Sequence, residues 1–205
     1  MSCSSPCAKP DGASRRGWLQ AAAAAALALH LPPVRAQVAP AEVGSVWPQA
    51  RLAGQGTLRV LGLRVYDARL WSPATLSADD WPQQPFALEL RYARSLSGAR
   101  IAQRSIDEMR RQVALDDARA AAWLALLTGS IPDVAEGDRL TGLHRPGAPA
   151  RLFHNGRALA EWADAELVRR FFGIWLSPQT SDPSLRQALL GAGRESAPAD
   201  DGRRS

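Results

Sequence analysis

The fold is decided by the stretch Phe171-Phe172-Gly173-Ile174-Trp175-Leu176-Ser177-Pro178, which is followed by Asp182-Pro183-Ser184-Leu185. Its apolar residues recur at the spacing of an amphipathic helix with a wide apolar stripe, and the serine and proline end that helix. Aspartate followed by proline is typical of the N-cap and first turn of a further helix. The pattern therefore predicts a terminal pair of helices, with Trp175 buried beneath a sheet. The stripe consists of Leu167, Val168, Phe171, Phe172, Trp175 and Leu176.

Residues 87–93 alternate between apolar and charged side chains, which predicts a half-buried strand. The apolar face would carry Leu88, Leu90 and Tyr92, and the polar face Glu89 and Arg91. Helical patterns follow Ser97-Gly98 and Asp116-Asp117, and short β-like runs return between residues 140 and 162.

Two glycines mark turns in this series. Asn155-Gly156 is a strong signal for a type I′ hairpin, and Gly62 predicts a bulge or a turn between two runs of β-like sequence. Strands, helices, strands and helices in blocks favour an α+β fold with a mainly antiparallel sheet over a parallel wound sheet.

The two ends of the chain have the composition of processed or solvated segments. Arg15-Arg16 precedes an alanine-rich stretch and Val34-Arg35-Ala36, which resembles a twin-arginine export signal cleaved after Ala36. The apolar part is too short for a stable membrane anchor, which needs roughly 20 residues. We therefore expect residues 1–36 to be removed on export to the periplasm, residues 37–191 to form one domain, and residues 192–205 to be a disordered tail.

Removal of that segment changes the chemistry available to the protein. Both cysteines lie in it, and so do four basic residues and one acidic residue, so the net charge falls from +5 to +2. This balance does not favour nucleic-acid binding. His144 and His154 have no second ligand at metal-binding spacing, and Gly54-Gln55-Gly56 precedes a strand rather than a phosphate-binding helix. We expect a monomer with no metal and no cofactor.

Several motifs, in order across residues 50–191, resemble those of the bacterial chalcone isomerase-like family, whose plant relatives include chalcone isomerases and fatty-acid-binding proteins. The resemblance implies an open-faced β-sandwich, in which a large and mainly antiparallel sheet packs against a layer of helices. The motifs that carry it are Gly54-Gln55-Gly56, Val65-Tyr66-Asp67-Ala68-Arg69-Leu70-Trp71, Ile101-Ala102-Gln103-Arg104-Ser105-Ile106-Asp107-Glu108-Met109, Phe153-His154-Asn155-Gly156 and the C-terminal stretch.

The resemblance also implies that the polar groups of an isomerase are largely missing. The true isomerases hold an oxyanion and polarise a carbonyl with an arginine, hydroxyls and an amide. Ile101 and Glu108 stand where those enzymes have a tyrosine and an asparagine, and Gly173 and Ile174 stand near the position of a threonine. Tyr66 could preserve one hydroxyl. We therefore expect a protein without isomerase activity.

In the fatty-acid-binding branch an arginine and a tyrosine hold the carboxylate of the ligand. The matching residues here are Arg59, or alternatively Arg64, together with Tyr66, and the cleft wall would include Trp71, Phe172 and Trp175. The sequence thus predicts a binding protein for a small amphipathic or fatty-acid-like ligand. Three alternatives stay open: solvated arginines paired with Glu89 or Asp67, an isomerase acting through Arg59 and Tyr66, and an envelope interaction module whose cleft is filled by its own side chains.

Overall fold

The computed structural model describes residues 37–191, which form a six-stranded antiparallel sheet and a set of helices. The strands follow one another in the sheet in chain order, and two helices are inserted between the third and the fourth. The predicted α+β class and antiparallel sheet are confirmed. The strands are β1 (Arg51–Val60), β2 (Leu63–Ser72), β3 (Phe86–Tyr92), β4 (Arg139–His144), β5 (Ala150–His154) and β6 (Arg157–Trp162). The α-helices are α1 (Ala41–Gly44), α2 (Gly98–Gln112), α3 (Asp117–Ser130), α4 (Ala165–Leu176) and α5 (Pro183–Leu189), with a short 3-10 helix at Trp81–Gln83.

Polar side chains cap the four longer helices. Ser97, Asp116, Asp164 and Asp182 each accept a hydrogen bond from a backbone N–H in the first turn of the helix that follows. These bonds satisfy donors that have no partner within the helix. The predicted starts at Asp116 and Asp182, and the end of α4 at Ser177-Pro178, are confirmed.

Helices α2 to α5 pack on one face of the sheet and enclose the main core. Helix α5 lies against β1, where Gly54 leaves room for it, because a Cβ at this position would collide with the backbone carbonyl of Ala188. Trp175 is buried in this core, as the stripe predicts.

The opposite face of the sheet is covered in part by residues 37–50. This segment encloses a second apolar cluster of Val43, Trp47, Trp71, Ala87, Leu143 and Phe153. Its Glu42 is buried and accepts hydrogen bonds from Arg139 Nη2 (3.0 Å) and Thr141 Oγ1 (2.8 Å). Here the prediction for β3 was wrong in one respect: Glu89 is buried rather than solvated. The alternation within β3 cannot predict that residues 37–50 fold over this face of the strand.

Two tight hairpin turns have nearly the same backbone geometry. Leu61 and Gly62 join β1 to β2 with φ angles of 51° and 79°, and Asn155 and Gly156 join β5 to β6 with φ angles of 50° and 85°. Positive φ at both central residues is the mark of a type I′ turn, so the prediction for Asn155-Gly156 is confirmed. Gly62 is a turn residue.

Within residues 37–191, none of the helices has the length and apolar character needed to cross a bilayer. The predicted export signal (residues 1–36) and the predicted tail (residues 192–205) lie outside the described residues.

Candidate functional site

A cleft of about 430 Å³ opens between the sheet and the helices α2, α4 and α5. Its volume falls in the range of small-molecule sites, about 300–1,000 Å³. Buried apolar side chains from three strands and from α4 form its interior, so it offers an acyl chain or a ring system a surface removed from water. They are Leu88, Leu90, Leu140, Leu152, Phe171 and Phe172.

Gly142 and Phe172 set the floor of this cleft. Gly142 lies on the cleft side of β4, and a Cβ there would come within 2.9 Å of the Phe172 ring. The absence of a side chain at residue 142 lets the ring lie directly on the sheet, where it packs edge-on against Phe86 with 5.0 Å between the ring centroids. The close approach of α4 thus depends on this glycine.

Two tyrosines line the cleft side by side. Tyr66 on β2 and Tyr92 on β3 are cross-strand partners whose rings pack edge-on, with centroids 5.8 Å apart. The Tyr66 Oη accepts a hydrogen bond of 2.8 Å from Trp175 Nε1. Burial raises the pKa of Tyr66 and of Tyr92 far above the usual range, so both phenols are protonated at neutral pH. Neither O–H donates to another residue in the described part of the chain, so both are available to a ligand.

Basic side chains gather where the cleft opens to solvent. Arg94 and Arg100 line the cleft, are exposed, and form no ion pair with any residue between 37 and 191. Arg104, one turn further along α2, is paired with the buried Glu108, whose carboxylate also lies 3.7 Å from Arg111 Nε. Glu108 is thus compensated by these partners, and Arg94 and Arg100 are the cleft-lining arginines without an acidic partner among residues 37–191.

The structure places three of the sequence-predicted site residues in the cleft: Tyr66, Phe172 and Trp175. Ile101 and Glu108, the positions where the isomerases are expected to differ, line it as well. Residues that the resemblance singled out on both α2 and β2 therefore line this cleft.

The prediction that Arg59 points into the cleft beside Tyr66 was wrong. Leu58 and Val60 line the cleft, so the intervening Arg59 is turned to the other face, where it is exposed and its Nη1 donates to the Gly62 carbonyl (3.3 Å). Arg59 therefore lies away from the cleft that Tyr66 lines.

Arg64 is also outside the cleft, and a β-bulge explains why. Leu58 pairs with Tyr66 but Arg59 pairs with Arg64, so β2 carries one extra residue, Val65, at this point. The extra residue reverses the alternation and turns Arg64 away from the face that Tyr66 occupies. Arg64 instead binds Asp67, with its Nε 3.0 Å from Oδ1, in agreement with the alternative of solvated, paired arginines.

Trp71 is not part of the cleft wall. It lies in the second cluster on the opposite face of the sheet, where its Nε1 donates to the buried Glu89 Oε2 (2.8 Å). Trp71 is five residues from Tyr66, so simple alternation along β2 already places the two side chains on different faces.

Sequence reasoning missed Tyr92, Arg94 and Arg100 as site residues. Tyr92 had a usable signal, since it shares the apolar face of β3 with Leu88 and Leu90. Arg94 and Arg100 had no such signal, because their sequence neighbours do not distinguish them from the many other arginines of the chain. The described residues hold no group of three or more histidine, cysteine, aspartate or glutamate side chains placed to bind a metal.

Comparisons with known proteins agree with this architecture. Among solved structures, the chain is similar to the crystal structure of a fatty-acid binding protein from Arabidopsis thaliana, with a TM-score of 0.53 and 14% sequence identity. That match covers 70% of this chain and 88% of the plant protein, and at this identity it shows the fold. An uncharacterised protein of Haemophilus influenzae is 28% identical over 109 residues, which is 53% of this chain and 53% of that relative. The chain thus matches about half the length of this relative.

A family model described as chalcone isomerase-like matches residues 40–191, which is nearly the whole of the described region. Because the match covers most of the chain, this protein belongs to the chalcone isomerase-like family.

Proposed function

We propose that this protein binds a single-chain amphipathic acid, such as a fatty acid, in the cleft and does not chemically transform it. The observation that carries the proposal is the cleft itself: a largely apolar interior of about 430 Å³ whose lining also carries two tyrosine hydroxyls and the exposed Arg94 and Arg100. The alternative of a module whose cleft is filled by its own side chains does not fit this volume.

The acyl chain would occupy the interior formed by β3, β4, β5 and α4. Each methylene transferred from water to such a surface contributes about 0.8 kcal/mol. Affinity should therefore rise with chain length until the interior is full. The plant structure with the same fold is named for fatty-acid binding, which supports this choice of ligand class.

The carboxylate would lie toward the mouth, near Arg94 and Arg100 rather than near Arg59. These two guanidinium groups have no acidic partner among residues 37–191, and charge-assisted hydrogen bonds to a carboxylate are among the stronger ones. The free O–H groups of Tyr66 and Tyr92 supply two further donors on the cleft wall. The proposed site therefore combines arginine and tyrosine donors, as the sequence predicted, but the arginines are Arg94 and Arg100 instead of Arg59 or Arg64.

The absence of turnover is proposed from the polar groups that line the cleft. Ile101 offers no hydrogen bond to a developing oxyanion, and the carboxylate of Glu108, which is held by Arg104, is an acceptor rather than a donor. Because its pKa is raised, the Tyr66 phenol is a poor source of a phenolate base. The cleft can thus hold a ligand without the groups that polarise an enone.

We further propose that the protein acts in the periplasm after export and cleavage following Ala36. The support comes only from the sequence of residues 14–36. Replacing the paired arginines with lysines (Arg15→Lys and Arg16→Lys) should retain a reporter fusion in the cytoplasm. Normal export of that variant would contradict the twin-arginine route.

The binding proposal is tested by isothermal titration of the purified full chain with saturated fatty acids of increasing length. Ile101→Trp fills the cleft from α2 and should abolish or strongly weaken binding. The matched control Leu126→Trp places the same side chain on an exposed position of α3 outside the cleft and should bind normally. Failure of every chain length to bind, or equal binding by both variants, would contradict the proposal.

The head-group assignment needs its own pair of variants. Arg94→Gln combined with Arg100→Gln should weaken binding by about 1.5–3 kcal/mol for each hydrogen bond lost to the charged carboxylate. Arg51→Gln combined with Arg145→Gln removes the same charge from exposed positions at the other end of the sheet and should have little effect. Weakening by the second pair alone would place the carboxylate elsewhere.

A further inference from the structure

The tip of the β1–β2 hairpin presents a compact apolar surface to solvent. Leu61 is 97% exposed, and its neighbours Val60 and Leu63 are 50% and 57% exposed. Half of the exposed large hydrophobic residues among positions 37–191 lie on this one turn. Such a concentration differs from the single apolar residues that are scattered over most protein surfaces.

The backbone of the turn makes Leu61 more unusual still. Leu61 has a φ of 51°, in the left-handed region where glycine, asparagine and aspartate are favoured and a bulky residue is rare. The same chain places Asn155 at the matching position of its other two-residue hairpin, with a φ of 50°. Asparagine adopts this backbone conformation more readily than leucine and is better solvated. The folding of the turn therefore does not explain why residue 61 is a leucine.

Arginines surround this tip. Arg59 and Arg64 flank the turn, and Arg59 Nη1 donates to the Gly62 carbonyl within it. Arg94 lies at the same end of the sheet, since the neighbouring Ala93 N–H bonds to the Val65 carbonyl (2.9 Å).

Two acidic groups act on Arg64: Asp67, which pairs with it, and Glu136 at longer range. Arg59 and Arg94, and Arg100 at the cleft mouth, form no ion pair with any residue between 37 and 191, so unpaired cations lie beside the apolar tip.

We propose that this tip inserts into the surface of an anionic phospholipid bilayer, with the surrounding arginines on the lipid phosphates. A small apolar projection ringed by cations fits the boundary between head groups and acyl chains. It fits a protein partner poorly, because a stable protein interface covers about 800 Å² on each side and three side chains provide far less.

The tip is continuous with the mouth of the cleft, so docking to a bilayer would also serve the transfer of the ligand. Val60 on the tip and Val65 and Arg94 beside it also line the cleft. A protein seated on a bilayer by this hairpin would hold the cleft opening at the lipid surface, where an amphipathic acid resides. The ligand could then pass between bilayer and cleft without crossing water.

The test places a nitrobenzoxadiazole fluorophore at the tip of the full chain through Leu63→Cys, in a background with Cys3→Ser and Cys7→Ser. Vesicles of equimolar phosphatidylcholine and phosphatidylglycerol should shift its emission to the blue and raise its intensity. The same fluorophore on Leu126→Cys, an exposed position of α3, should not respond. Because the signal arises at the tip, association through another segment of the chain does not imitate it.

Two substitutions then separate the apolar and the charged contributions. Leu61→Asn should lower the apparent vesicle affinity by at least about tenfold, and Arg59→Gln with Arg94→Gln by about 25-fold, since each arginine near an anionic surface is worth about fivefold. Arg51→Gln with Arg145→Gln, at the other end of the sheet, should leave the vesicle affinity unchanged.

No emission change at residue 63, or no effect of Leu61→Asn, would overturn the proposal and point to a protein partner instead. Ligand binding measured without vesicles tests the cleft separately, so either proposal can fail alone.

Discussion

Trp175 Nε1 donates a hydrogen bond of 2.8 Å to Tyr66 Oη, joining helix α4 to strand β2 within the cleft. Both side chains are buried, and Trp175 also packs edge-on against Phe171 with 5.5 Å between ring centroids. The bond satisfies the indole N–H and orients the phenol, whose own proton stays free for a ligand. The C-terminal helix and the strand that bears the cleft tyrosine therefore act as one structural unit.

The stability of this unit can be measured with two substitutions at Trp175. Trp175→Ala should lower the free energy of unfolding by about 3–5 kcal/mol, the cost of deleting a large buried side chain. Trp175→Phe retains most of the packing but leaves Tyr66 Oη without its donor, so we expect a smaller loss of about 1–3 kcal/mol. Urea denaturation provides both values, and a melting temperature unchanged by Trp175→Ala would show that the helix does not pack as described.

The two cleft tyrosines should resist ionisation. They are the only tyrosines of the chain, so absorbance of tyrosinate reports on them alone. Because burial raises both pKa values, the folded protein should show little tyrosinate at about pH 10, where unfolded tyrosines are half ionised. An ultraviolet titration of the folded chain that matches the titration in denaturant would contradict the burial of both hydroxyls.

The same shift predicts how stability depends on pH. A group whose pKa is raised in the folded state contributes its full stability below the unfolded pKa, near 10, and loses it as pH rises toward the folded pKa. The free energy of unfolding should fall by up to about 1.4 kcal/mol per pH unit for each tyrosine above about pH 10. Tyr66→Phe removes one of the two groups, so its decline between pH 10 and pH 11 should be shallower than that of the natural chain.

Gly142→Ala tests the floor of the cleft. The added methyl group would meet the Phe172 ring at 2.9 Å, so the ring and α4 must move outward. We expect a loss of about 1–3 kcal/mol in the free energy of unfolding, typical of an overpacked core. Gly129→Ala is the matched control, since Gly129 lies in α3 and a Cβ there meets nothing within 4 Å. Equal stability of the two variants would show that Gly142 does not control the approach of α4.

Leu61→Asn should not reduce stability. Asparagine tolerates the left-handed backbone at this position better than leucine, so the free energy of unfolding should stay the same or rise by about 1 kcal/mol. A clear destabilisation in urea would mean that Leu61 contributes to the fold, which would weaken the argument that it serves a surface.

No turnover of 2′-hydroxychalcone above the uncatalysed rate is expected. Each oxyanion donor removed from an active site costs about 10²–10³ in rate, and the family resemblance implies that Ile101 and Glu108 stand at two positions where the isomerases have polar donors. The disappearance of the chalcone absorbance with time provides the measurement. A rate enhancement that is lost in Tyr66→Phe would revive the isomerase alternative.

The fold could be predicted from sequence to a greater extent than the site. The stripe that ends at Leu176, the alternation in residues 87–93 and the Asn155-Gly156 turn each follow one local rule, and the helix, the strand and the turn that they predict are confirmed. The arginines could not be assigned in this way. A single extra residue, Val65, reverses the face of Arg64, and β-bulges leave no reliable mark in one sequence.

The burial of Glu89 shows a second limit. Its neighbours in β3 predict a solvated position, and only the return of residues 37–50 across the sheet covers it. A local pattern describes the strand that contains it, whereas burial depends on segments distant in the chain. The same reason kept Arg94 and Arg100 from being recognised, since their position at the cleft follows from where the end of β3 and the start of α2 meet it.

The central claim, that an acyl chain enters the cleft, is tested most directly by quenching of tryptophan fluorescence with a fatty acid brominated in mid-chain. Trp175 lines the cleft, and Trp71 lies on the opposite face of the sheet. We predict saturable quenching in the natural chain, its retention in Trp71→Phe, and its loss in Trp175→Phe, while titration calorimetry shows that Trp175→Phe still binds the unbrominated acid. Quenching that persists undiminished in Trp175→Phe, or none in the natural chain at concentrations that saturate binding, would show that the acyl chain does not occupy this cleft.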